Sequence, residues 1–135
     1  MTRHAGGCHC GGLRVEFETS KPLAPRACQC SFCRKHHARS VSDPDGSAVI
    51  TLGPGAIRYR FGRSLGDFLI CGQCGVYIGA VQEIAGELYA VLNVTAFDDP
   101  HDELTGEPMD YDGETAEQRT ARRRARWTPA RIVET

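Results

Sequence analysis

Three thiols fall within six residues, at Cys28, Cys30 and Cys33, and two cations, Arg34 and Lys35, follow directly. Two further pairs stand apart: Cys8 with Cys10, and Cys71 with Cys74. C-x-C and C-x-x-C spacings bring sulfurs within reach of a single ion, so these clusters read as metal ligands. Seven cysteines is an odd number, and disulfides alone would leave one thiol over. A redox or disulfide set is the competing reading, and it explains the clustering less well.

The outer pairs supply four thiolates. In extended backbone Cys8 and Cys10 point the same way and His9 points away. Cys71-Gly72-Gln73-Cys74-Gly75 suits a tight knuckle, with glycines where other residues resist the backbone. Four thiolates complete a closed tetrahedral zinc site, which is a structural one. It would tie the first strand to the middle of the chain across 60 residues. Such a site contributes directly to folding.

The remaining three cysteines are the chemical candidates. Cys28 and Cys30 share a strand face, and Cys33 sits one turn further on. Zinc usually takes four ligands, and catalytic sites keep the fourth place for water or substrate. Three thiolates on a divalent zinc leave one net negative charge, which Arg34 and Lys35 could offset while attracting an anionic substrate. Trithiolate zinc is a modest Lewis acid, better suited to holding another thiol as a thiolate. A substrate thiol as fourth ligand therefore explains why there are three. Two alternatives stay open: His36 or His37 closes the site, or the three cysteines form an unmetallated redox triad. His4, His9 and His101 are assigned no functional role.

The rest of the sequence sets the frame. The 135 residues make one ordinary domain, 1–135, with little room for a second. Apolar residues are 41% and charged residues 24%, as in soluble globular proteins. The net charge of -1 gives no general attraction to nucleic acid or membrane. The N-terminus carries no apolar run, and no stretch approaches the roughly 18 apolar residues that span a bilayer. A cytoplasmic location is expected, where disulfides are rare.

Period-two patterns mark strands at Leu13–Phe17, Ser47–Leu52, Ile57–Phe61 and Asp67–Cys71. Two more runs, Val76–Ile84 and Glu87–Phe97, flank Gly86 as a hairpin turn. The expected class is mostly β: a small zinc-stabilised domain of short antiparallel strands. Nine acids and no Lys or Arg lie between Asp98 and Gln118, and Arg119, Arg122, Arg123, Arg124 and Arg126 follow. Thr115 and Gln118 have capping-box spacing, which predicts a short helix over Ala116–Trp127. The arginines are read as neutralising the acidic stretch beside them, with phosphate binding as the rival.

GGCHCGGLRVEFE, CQCSFCRK, FLICGQCGVYIG and FDDP, in that order, resemble the glutathione-dependent formaldehyde-activating enzyme family, within the superfamily of centromere protein V. The motif core covers about residues 6–100. The resemblance implies a zinc-bearing β-tent with a structural zinc on Cys8, Cys10, Cys71 and Cys74. It implies a catalytic zinc on Cys28, Cys30 and Cys33, so two Zn2+ per chain. It also implies carbon–sulfur lyase-type chemistry, in which glutathione adds to formaldehyde to give S-hydroxymethylglutathione. The sequence departs from the family at His36, His37 and Ala38, where small residues and a glycine are usual. The segment 98–135 does not align with the expected tail, which bears on substrate identity.

A zinc-dependent lyase on a thiol–aldehyde adduct is the leading expectation. Its partners are a small thiol such as glutathione and an aldehyde, with Arg34 and Lys35 as substrate-binding residues. The alternatives are a non-catalytic zinc module for an acidic or nucleic-acid partner, or a zinc-thiolate redox sensor.

Overall fold

The computed structural model describes all 135 residues. The elements run β1 (Thr2–Gly7), β2 (Leu13–Thr19), β3 (Arg26–Cys28), α1 (Ser31–Lys35), β4 (Ser40–Val41), β5 (Ser47–Leu52) and β6 (Ala56–Tyr59). Then follow β7 (Asp67–Cys71), β8 (Tyr77–Ile84), β9 (Glu87–Asn93), β10 (Glu107–Met109), α2 (Ala116–Arg126) and β11 (Thr128–Glu134). The protein is mostly β, and its eleven strands form one branched sheet.

Alternation sets the faces. On β2, Leu13, Val15, Phe17 and Thr19 are buried, while Glu16 is exposed. Their partners on β5, Ala48, Ile50 and Leu52, are buried too, so this antiparallel pair builds one wall of the core. β8 is buried along nearly its whole length because β7 and β9 flank it. Ala85 and Gly86 both have positive φ, as a two-residue hairpin turn with right-twisting strands requires. The expected run Glu87–Phe97 stops as a strand at Asn93. There the side-chain oxygen accepts the Thr95 N–H at 3.2 Å and starts a 3-10 turn over Val94–Ala96.

The C-terminus is part of the core architecture. β11 pairs with β9 through Thr128 and Pro129, antiparallel. It then runs parallel to β5 from Ala130 to Glu134. One strand thus joins the two halves of the sheet. α2 is the expected capped helix: Thr115 accepts the Gln118 N–H at 3.1 Å, and Gln118 returns a bond to the Thr115 N–H at 2.9 Å. Trp127 ends it and is buried against Ala80, Ile84, Tyr89 and Val91. β10 lies parallel to β3, with Met109 opposite Cys28. The acidic segment is therefore folded against the strand that carries the first thiol of the three-cysteine cluster.

Candidate functional site

All seven cysteines are free thiols, gathered in two groups. Cys8, Cys10, Cys71 and Cys74 form one group, with sulfurs all within 4.8 Å of one another. Cys8 and Cys10 do not lie on a strand. β1 ends at Gly7, and the Gly11 N–H bonds back to the Cys8 carbonyl at 3.2 Å, so the pair sits on a turn. The Leu13 N–H donates to Cys8 Sγ at 3.2 Å. Cys71 ends β7 and accepts N–H bonds from Gln73 and Cys74 at 3.4 and 3.5 Å. Gly75, at φ +84°, supplies the left-handed residue that closes this second knuckle. Backbone N–H groups of Val76 and Cys10 push the Cys74 thiol down to about 6.

The sulfur separations test the fit to zinc. Cys8–Cys10 is 3.7 Å and Cys10–Cys71 is 3.5 Å. Zn–S bonds of about 2.3 Å at tetrahedral angles demand sulfurs about 3.8 Å apart. A disulfide needs about 2.05 Å. The two knuckles therefore hold four sulfurs at metal spacing, and the chain itself closes the shell.

The second group is Cys28, Cys30 and Cys33, again within 4.8 Å of one another. Cys28 ends β3, Cys30 caps α1 and Cys33 lies in its first turn. Cys30 Sγ accepts the Cys33 N–H at 3.4 Å. Three touching thiols do not titrate alike. Contacts with Cys28 and Cys33 lower Cys30 to about 2, the contact with Cys30 raises Cys28 against an opposite pull from Cys33, and contacts with Cys28 and Cys30 raise Cys33. A cation is what lets all three ionise together, and the donor set suits zinc.

No His, Asp or Glu joins either group. His36 packs its ring on Phe32 at 4.5 Å and on Tyr77 at 5.5 Å. His37 follows the helix at φ +48°. Neither belongs with the three sulfurs, so the closure by His36 or His37 left open by the sequence is not the arrangement here.

A cavity of about 530 Å3 opens on the three-cysteine group. That lies within the range of about 300–1,000 Å3 typical of small-molecule sites. Cys28, Cys30 and Cys33 line it together with the aromatic residues Phe61, Phe68 and Tyr77. Phe61, two residues beyond β6, stacks on Phe32 at 5.2 Å and packs against Phe68 at 4.7 Å. Further lining comes from Asp110–Asp112 and from the α2 region: Tyr111, Arg119, Arg122, Arg123 and Trp127. Arg26 of β3 adds a further cation.

Arg34 and Lys35 do not line this cavity. Both are exposed, and Arg34 Nε donates to the Gln29 carbonyl at 3.0 Å, beside a second, more open depression that Cys28 and Cys33 also line. The C-terminal arginines divide. Arg119 and Arg122 pair with Glu114 at 3.2 and 2.7 Å, as expected of a self-neutralising segment. Arg123 is buried and faces the cavity, a role the sequence reading did not assign. Its signal was present: Arg119 and Arg123 are four apart and share a helix face, on the side where Trp127 follows.

Residues 3–111 match the family of glutathione-dependent formaldehyde-activating enzymes. The chain belongs to that family. The match takes in all seven cysteines and both groups. A crystal structure of a Rhodobacter sphaeroides protein is also similar, with 27% identity and a TM-score of 0.59. The similarity covers 77% of this chain and 97% of that one. The family match ends at Tyr111, five residues before α2 begins. No helix is long and apolar enough to cross a membrane.

Proposed function

We propose that this family member is a zinc-dependent carbon–sulfur lyase-type enzyme, with the three-cysteine group as its active centre. Its reaction is the addition of glutathione to formaldehyde, and the reverse. The observation that carries this reading is an asymmetry. Four cysteines close on themselves away from this cavity, whereas the three-cysteine group lines a ligand-sized cavity. Cys8, Cys10, Cys71 and Cys74 would hold a structural zinc, and Cys28, Cys30 and Cys33 a second one. Zinc bound by three thiolates supplies a fourth position that keeps a sulfur ligand in its thiolate form.

The chain's own residues define the rest. Adduct formation makes one carbon–sulfur bond between the glutathione sulfur and the formaldehyde carbon. The thiol proton ends on the former carbonyl oxygen, so atoms balance without an oxidant or reductant. Phe61, Phe68 and Tyr77 wall the sulfurs from bulk water on one side, which strengthens electrostatics within. The Tyr77 ring is buried, and burial holds its hydroxyl well above the usual phenol range, so it stays protonated. Arg34 and Lys35 remain candidates only for the outer approach, because they lie outside the cavity.

The test is Cys30→Ser. It should lose turnover of the glutathione–formaldehyde adduct, followed by NMR exchange between free and adducted glutathione, while the fold survives. Wild-type exchange rates in the variant, with its second metal gone, would refute the mechanism.

A further inference from the structure

Arg123 is 8% exposed and forms no salt bridge of its own; Glu114, the carboxylate that acts on it, is already paired with Arg119 and Arg122. Its Nη1 donates to Gln82 Oε1 at 3.0 Å, and its guanidinium lies 4.6 Å over the Trp127 ring. Its Nε has no hydrogen-bond partner although it is sealed from solvent. Buried charges are normally paired, because an isolated one is costly. Arg26 of β3 lines the same cavity and is half-buried, and the hydroxyl of Ser42 at 2.6 Å is its one side-chain partner. Asp110 and Asp112 also line the cavity, but both are exposed at its rim.

Two poorly compensated cations therefore share one cavity with three thiols. We infer that Arg123, together with Arg26, is the specificity-determining anion site of this enzyme, receiving a carboxylate of the thiol substrate while its sulfur meets Cys28, Cys30 and Cys33. This rests on the reading of the cavity as a thiol site. It goes further in assigning selection of the substrate carboxylate to Arg26 of β3 and to Arg123 of α2, the latter beyond the 3–111 segment that matches the family. The planar fork of an arginine suits a carboxylate, and the Trp127 ring holds that fork in place.

Calorimetric binding to the zinc-loaded protein tests this, with three probes. Glutathione carries thiol and carboxylates. Its diethyl ester lacks the carboxylate charges. γ-Glutamyl-alanyl-glycine lacks the thiol. Wild type should prefer glutathione over its ester by roughly 10- to 100-fold, the worth of one hydrogen bond to a charged group. Arg123→Gln should reduce the preference to below about 3-fold, and Arg26→Gln should do so too. Arg124→Gln, on the exposed face of the same helix, should leave it unchanged. If Arg123→Gln does not fold, Arg26→Gln decides alone. Equal binding of acid and ester by wild type, or an undiminished preference in both variants, overturns the inference. Failure of the lyase reading looks different: the alanyl peptide would then bind as tightly as glutathione, with Arg123 dependence intact.

Discussion

Replacing Trp127 with alanine should destabilise the whole domain, although Trp127 lies outside the segment that matches the family. Its side chain is 4% exposed and packs on Ala80, Ile84, Tyr89 and Val91 from β8 and β9, beneath the Arg123 guanidinium. Large-to-small changes of this kind cost about 3–5 kcal/mol. We take about 4 kcal/mol, a large share of the roughly 5–15 kcal/mol that holds a domain together. An unfolding entropy of about 2.1 cal/mol/K per residue gives about 280 cal/mol/K for this chain, so Tm should fall by about 14 °C. The assay is thermal unfolding of zinc-loaded protein followed by circular dichroism. Ile57→Ala, at an exposed position on β6, is the control and should shift Tm by less than about 2 °C. A Trp127→Ala shift below about 3 °C would refute the claim that α2 and β11 are integral to the core.

Three further outcomes follow from the same geometry. Cys71→Ser opens the closed four-sulfur group at a buried position, so the purified protein should be largely unfolded and chelator-sensitive, read by circular dichroism. Asp43 is buried and, against the opposing pull of burial, is held below the usual carboxylate range by Thr19 and Lys21. Its folded-state pKa is depressed, so its contribution is full above about pH 4 and fades as pH falls through the folded value; the urea-midpoint gap between wild type and Asp43→Asn should be constant above about pH 4 and shrink as pH falls from there to about pH 2. Duplex DNA at roughly 50 mM salt should not be retained, because Arg119 and Arg122 are paired with Glu114 and Arg123 is buried; salt-dependent retention would revive the binding-module reading.

The site was more legible in the sequence than the frame that shapes it. Cysteine spacing carries its own geometry, so the division into four and three could be read before any fold. Strands with clean alternation, such as Leu13–Thr19 and Ser47–Leu52, could be read as well. β1 could not: Thr-Arg-His-Ala-Gly-Gly has almost no apolar side chain, and backbone pairing to β2 makes it a strand. β11 was hidden by Pro129 and Arg131, which interrupt the pattern at the point where the strand passes from β9 to β5. The extended geometry expected for Cys8 and Cys10 gave way to a turn, because a knuckle brings the sulfurs together more closely than a strand would. Arg123 looked like one of five equal arginines; its four-residue spacing to Trp127 was a faint signal, and packing is what separates it from Arg124 and Arg126, which are exposed.

Zinc per chain, measured by elemental analysis on wild type and Cys30→Ser purified without added metal, tests most directly whether the three-cysteine group is a metal centre. About two zinc ions in wild type and about one in a still-folded Cys30→Ser are expected, with the remaining ion in the four-cysteine site. About one in both proteins would mean that Cys28, Cys30 and Cys33 hold no zinc, and would contradict the proposed active centre.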